Sequence, residues 1–179
     1  MSNRQTVYTV GHSTRTLEQF VELIRGFGVE TVVDIRTVPR SRTNPQYDLD
    51  TLPERLAAFG INHCQIAELG GLRKKSREIS PDLNSFWENR SFHNYADYAL
   101  SETFEAGLNR LLARSEKSTC AIMCAEAVWW RCHRRIVTDY LLLRDVEVLH
   151  IMDQDKASKA VMNPAAVACG LKLNYPAPA

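Results

Sequence analysis

The sequence of 179 residues lacks the marks of several protein classes. No apolar run approaches the ~20 residues that cross a bilayer, so no membrane-spanning helix and no membrane partner are expected. The opening Met1-Ser2-Asn3-Arg4-Gln5 carries no apolar signal segment or cleavage site, which points to a cytoplasmic location. No internal repeat and no low-complexity block occur. Five cysteines is an odd number, and Cys64, Cys120, Cys124, Cys132 and Cys169 contain no Cys-x-x-Cys. A disulfide framework or four-cysteine zinc site is therefore disfavoured, and reduced thiols are expected. Charge of one sign is missing too: 22 Lys and Arg face 21 Asp and Glu, for a formal charge of +1. That excludes a generally basic nucleic-acid coat and leaves local patches open.

What is present is an ordinary soluble balance, 45% hydrophobic and 24% charged, of a size that suits one domain. Thr6-Val7-Tyr8-Thr9-Val10 reads as a first strand ending at Gly11. Leu17, Phe20, Val21, Ile24 and Phe27 then recur at helical spacing, with Thr16-x-x-Gln19 in front and Gly28 behind. Thr31 to Ile35 reads as a second strand and Leu52 to Phe59 as a second helix, with Pro53 in its first turn. Ile61 to Leu69 is a weaker third strand, and residues 70 to 94 form a long polar insertion with the character of a functional loop or lid. A long helix over Tyr95 to Arg114 follows. Thr119 to Cys124 reads as a strand, Arg131 to Arg144 as a helix and Val146 to Met152 as a fifth strand. The remaining tail contains one short helix and a frayed end from Tyr175. Strict alternation predicts a single α/β domain, a three-layer Rossmann-like parallel sheet of about five strands with helices on both faces. The order expected is 3-2-1-4-5, with a ligand-binding switch point between strands one and four.

The strand ends carry the chemistry. Gly11-His12-Ser13-Thr14-Arg15 can offer amides and hydroxyls to an anion, or simply start the helix. Asp34 lies in an apolar strand where a carboxylate needs a partner, and Arg36, two residues on, shares its face. Strand four runs into Cys124-Ala125-Glu126-Ala127-Val128-Trp129-Trp130-Arg131-Cys132-His133-Arg134-Arg135. A thiol at a helix amino end beside arginines is expected to be acidic and nucleophilic, which singles out Cys132. Glu126 is the only acid of that loop and a candidate general base. Cys124 also suits a small apolar core position, and the tryptophans suit either packing or a ligand platform. Cys124 to Arg131 is Cys-x6-Arg, one residue too long for a phosphatase or rhodanese-like loop. A metal set of His12, Cys124, Cys132 and His133 has suitable ligand types, but helical neighbours point roughly 100° apart and suit one ion poorly. No metal ligands are assigned, and the residues leave the identity of any cofactor open.

The third strand ends Glu68-Leu69-Gly70-Gly71, where the glycines suggest a tight turn or close approach. Windows 36–42, 73–77 and 131–135 hold ten of the 22 Lys and Arg and no acid. A concentrated positive rim at one sheet edge would favour a phosphate-bearing ligand or nucleic acid.

Gly11-His12-Ser13, Asp34-Ile35-Arg36 with Pro39 and Ser41, Leu69-Gly70-Gly71, and Cys124-Ala125-Glu126 with Cys132-His133-Arg134 form an ordered set. Over roughly residues 6 to 151 it resembles the family called domain of unknown function 488. Trp129-Trp130 departs from the polar or proline-containing loop expected in many relatives. The resemblance implies a three-layer α/β fold and no established reaction. The candidate catalytic set is His12, Glu126, Cys124, Cys132 and His133. The candidate ligand-binding set is Gly11, Ser13, Asp34, Arg36, Ser41, Gly70, Gly71 and Arg134. Together they point to an enzyme acting on a nucleotide or nucleic-acid-derived phosphate compound at the carboxyl edge of the sheet. The alternatives are a non-catalytic nucleic-acid-binding module, stacking bases on Trp129, Trp130 and Trp87 or Tyr95, and a Cys/His metal-dependent hydrolase.

Overall fold

Apolar periodicity becomes secondary structure close to where the sequence places it. The computed structural model describes residues 4–179; Met1, Ser2 and Asn3 of the opening segment lie outside them. Strand β1 (Thr6–Gly11) leads to helix α1 (Leu17–Arg25), which starts with both halves of a capping box. Thr16 Oγ1 accepts from the Gln19 amide at 3.1 Å, and Gln19 Oε1 accepts from the Thr16 amide at 2.9 Å. Leu17, Phe20, Val21 and Ile24 are buried as their spacing demands. Strand β2 (Thr31–Asp34), helix α2 (Leu52–Ala58) and strand β3 (Asn62–Gln65) follow, with β3 shorter than its sequence run. Then come α3 (Arg90–Tyr98), α4 (Glu102–Lys117), β4 (Cys120–Cys124), α5 (Arg134–Leu143) and β5 (Glu147–Asp153).

The architecture is the expected three-layer α/β one, but the strand order is β3-β2-β4-β1-β5-β6, where β6 is Lys156–Lys159. The expected order 3-2-1-4-5 therefore exchanges β1 and β4. Strand β4 pairs in parallel with both β2 and β1, while β6 adds antiparallel to β5. Every residue of β4 is buried, the signature of a strand covered on both faces and flanked on both edges. That run was readable in the sequence; its consequence for order was not, because alternation alone leaves open which strands become neighbours. On one side Val10, Val32, Ala121 and Met123 pack under α1 and α2. On the other, Val7, Val33, Ile122 and Val148 pack under α3, α4 and α5. The period-two alternation of β2 and β4 distributes their side chains between the two cores.

Two further expectations need correction. The single helix over residues 95–114 is two helices, because capping side chains start each one. Asn89 accepts from the amides of Ser91 and Phe92, and Ser101 Oγ accepts from the Phe104 amide at 3.2 Å. The tail is not frayed at Tyr175 and has no short helix. It forms β6 and a hairpin of β7 (Val167–Cys169) and β8 (Lys172–Asn174). Tyr175 is fully buried, its hydroxyl donating to Asp139 Oδ2 at 2.8 Å and its amide to Asn84 Oδ1 at 2.9 Å.

Asp139 makes this anchorage pH-dependent. Burial raises its pKa to about 6, against the opposing pull of the Asn163 amide and the Tyr175 hydroxyl. A carboxyl raised in the folded state contributes stability that is fully present below its unfolded value of ~3.9 and lost as pH rises through about 6. The melting midpoint, followed by circular dichroism, should fall between pH 5 and pH 8. In Asp139→Asn this part of the pH dependence should disappear.

Candidate functional site

Because β4 lies beside β2, the loops leaving these two strands face one another. A cavity of about 420 Å³ opens between them, within the size range of small-molecule sites. Arg36, Thr37 and Val38 come from the β2 side; Cys124, Ala125, Glu126, Arg131, Cys132 and His133 come from the β4 side. The 70–94 insertion and the first turn of α3 close it with Gly71, Leu72, Asn89, Ser91 and Phe92. Val38 and Leu72, 59% and 68% exposed, give this wall an apolar rim.

Cys124, the last residue of β4, and Cys132, two residues before α5, are only 3% and 6% exposed. Their Sγ atoms are 2.7 Å apart, and both thiols are free. Cys132 Sγ also lies 3.3 Å from His133 Nδ1 and receives the Arg134 amide at 3.5 Å. His133 Nε2 meets the Ile35 carbonyl at 2.8 Å; a carbonyl only accepts, so this nitrogen carries the proton and Nδ1 faces the thiol. Burial by itself would raise the Cys132 pKa. The Cys124 S–H, His133 and Arg134 together outweigh burial and hold it well below the ordinary thiol value. Cys124 goes the other way, pushed well up by burial and by the sulfur beside it.

Two glycines make this packing attainable. A Cβ on Gly11 would collide with the Glu126 carbonyl, and one on Gly71 would stand 2.5 Å from His133 Nδ1. Gly70 lies outside the cavity lining and packs on Thr37, whose hydroxyl accepts the Leu72 amide at 3.0 Å.

Behind the cavity lies a buried ion pair. Arg36 donates through Nε and Nη2 to the two Asp34 oxygens at 2.9 and 2.7 Å, and again through Nη2 to the Tyr47 carbonyl at 2.7 Å. His63 Nε2 is 3.5 Å from the same carboxylate. Burial would raise the Asp34 pKa, but Arg36 and His63 bring it below its usual value. Asp34 is thus the structural partner of Arg36 and not itself on the cavity wall.

His12 is buried outside the cavity lining, stacked on Tyr47 with ring centroids 4.0 Å apart. Its Nδ1 meets the Ser13 carbonyl at 2.8 Å, and burial lowers its pKa to about 4, so the ring is neutral near pH 7. The amides of His12 and Ser13 donate to the carbonyls of Cys124 and Ala125. The anion cradle expected from Gly11-His12-Ser13 is therefore already filled by backbone. Ser41 organises its own loop, accepting the Asn44 amide at 3.1 Å, and does not reach the cavity.

Arg134 is buried as well, donating to Thr9 Oγ1 at 3.2 Å and to the Glu126 carbonyl at 2.7 Å. Thr9 in turn meets His150 Nδ1 at 2.6 Å, and Trp129 stacks flat on that ring at 4.4 Å. Neither Thr9 nor His150 was singled out in the sequence; His150 in an otherwise apolar strand was the available signal. Arg131, Asn89, Ser91 and Phe92 of the cavity were likewise unassigned, since nothing local marks a residue as facing a cavity.

The basic rim is weaker than its sequence suggests. Arg73 lies 3.8 Å over the Tyr98 ring and donates to the Gly70 carbonyl, Arg135 lies over Trp87, and Arg40 pairs with Asp50. Trp87 and Tyr95 are buried and cannot serve as stacking platforms. Among the described residues no group of three or more His, Cys, Asp and Glu is placed to hold a metal ion, which leaves the metal-hydrolase alternative without a ligand set.

Removing Asp34 would strand a buried guanidinium. Asp34→Ala should lower unfolding free energy by about 3–5 kcal/mol, measured by urea titration at pH 7. In the wild type the Asp34 contribution is present above pH ~3.9 and lost as pH falls through its depressed folded pKa.

Comparison with curated proteins and with solved structures gives no match. The family model described as Domain of unknown function DUF488 matches residues 16–141, from the cap of α1 to within α5. That span covers more than half of the chain and includes both loops that build the cavity, so the chain belongs to the family of the domain of unknown function DUF488.

Proposed function

We propose that the protein is an enzyme in which Cys132 acts as nucleophile on a phosphate-bearing, nucleotide-class compound held between the β2 and β4 loops. One observation carries this reading: Cys132 Sγ is 3.3 Å from His133 Nδ1, while His133 Nε2 is held by the Ile35 carbonyl at 2.8 Å. A nucleophile, a base and a group that orients the base are the parts covalent catalysis needs. Phe92, Val38 and Leu72 suit the face of a planar base, and Arg131 brings a guanidinium for phosphate. The Cys132 thiolate attacks the electrophilic atom, and His133 returns the thiol proton to the leaving group. Glu126, on the same cavity wall, then activates the water that releases the covalent intermediate. The buried Trp87 and Tyr95 favour this reading over a nucleic-acid-binding module.

Iodoacetamide labelling read by mass spectrometry tests the nucleophile. Cys132 should label with a midpoint below the ~8.5 of a free thiol, with the exposed Cys169 labelled in the same samples. His133→Gln should move the Cys132 midpoint upward. Calorimetric titration with nucleoside mono- and diphosphates tests the ligand, with Arg131→Ala weakening binding. Glu126→Gln should retain the ligand and lose turnover by roughly 10²–10⁴-fold. A Cys132 that labels only at ordinary thiol pH, or no nucleotide binding at low salt, would overturn the proposal.

A further inference from the structure

Cys124 has no part in the mechanism above, yet it stands 2.7 Å from the nucleophilic sulfur. We propose that Cys124 and Cys132 form a redox couple that reduces hydroperoxides entering the cavity and closes as an intramolecular disulfide. The backbone holds both positions firmly. Cys124 is in register with Gly11 across β4 and β1, and the Cys132 amide donates to the Trp129 carbonyl at 3.2 Å. No other thiol competes: Cys120 is at the far end of β4, Cys64 on edge strand β3 and Cys169 on β7. The couple is asymmetric in the way such chemistry needs. Cys132 receives the Arg134 amide and faces His133, whereas Cys124 is placed to donate its proton to the Glu126 carbonyl at 3.7 Å. Cys132 thus attacks and Cys124 resolves.

The chemistry balances with the hydroperoxide as oxidant. The Cys132 thiolate attacks the distal oxygen of ROOH, the O–O bond breaks, and with one proton taken up the products are Cys132 sulfenic acid and ROH. The Cys124 sulfur then attacks the Cys132 sulfur, its proton leaves with the hydroxyl as water, and the disulfide forms. Two electrons have passed from the two sulfurs to the peroxide. A dithiol-class reductant returns them by exchange and is itself oxidised to a disulfide. A small oxidant fits better than a protein disulfide, because both cysteines line the cavity and are only 3% and 6% exposed. The proposal shares the Cys132 thiolate with the function proposed above but needs no nucleotide, so the two rest on different measurements. Its consequence for that function is a site switched off while the disulfide is closed.

The test uses the reduced full chain, treated with one to a few equivalents of hydrogen peroxide, then denatured and blocked with N-ethylmaleimide. Before treatment five thiols should be blocked. Afterwards three should be, with the peptides of Cys124 and Cys132 linked, and dithiothreitol should restore all five. In Cys124→Ser the sulfenic acid of Cys132 should persist and be trapped by dimedone. Five free thiols after treatment, a different cysteine pairing, or Cys132 carried to sulfinic acid in the wild type without the 124–132 link would each overturn the proposal. The wild-type measurement decides it even where the variant fails to fold. A reactive Cys132 without the disulfide leaves the nucleophile standing and removes the couple; the disulfide without nucleotide binding leaves the couple standing and removes the nucleotide reading.

Discussion

A charged carboxylate buried at the end of a strand is costly unless a cation meets it, and in this protein Arg36 meets Asp34 through two hydrogen bonds. The pair clamps the residues on either side of Ile35, and the Ile35 carbonyl is the acceptor that holds His133 Nε2. The orientation of His133 at Cys132 therefore depends on an ion pair of which Arg36 alone reaches the cavity wall. The same guanidinium binds the Tyr47 carbonyl, and the Tyr47 ring supports His12. A buried pair of this kind adds less to net stability than its Coulomb energy suggests; its larger effect is to leave one arrangement of the β2 loop without an unpaired charge.

From that fixed loop the cavity is built by close approach. Gly11 lets the chain after β4 pass against β1, and Gly71 lets the insertion lie against the His133 ring. Arg134 reaches from the first turn of α5 under the β4 loop to the Glu126 carbonyl, tying down the segment that carries both cysteines. Its positive charge is spent on protein groups rather than presented to a ligand. The same holds for much of the basic rim, where Arg40, Arg73 and Arg135 find a carboxylate, carbonyls or aromatic faces. Sequence counts of positive charge measure what is available, and neighbours decide how much remains uncommitted.

The two sulfurs show how one environment separates like groups. Both are buried, which opposes ionisation of each, but the Arg134 amide and the His133 ring converge on Cys132 alone. Cys124 instead is placed to donate to the Glu126 carbonyl. Opposite roles for two identical side chains follow from which one stands nearest the start of α5.

Much of this was legible in the residues. Short apolar runs marked the five parallel strands, Thr16-x-x-Gln19 marked the start of α1, and Asp34 with Arg36 two residues on marked an ion pair on one strand face. These are local effects, set by neighbours within a few residues. Strand order is not local: β4 between β2 and β1 depends on which apolar faces find each other across the whole chain, and it decides that Cys124 stands beside the β2 loop. It also leaves His12 out of the cavity, fills the Gly11-His12-Ser13 amides with carbonyls from the β4 loop, and buries Trp87 and Tyr95. The sequence by itself determined the elements and the paired charges, because short-range chemistry governs them; only the tertiary structure decided which side chains share a cavity, because that depends on contacts between segments far apart in the chain.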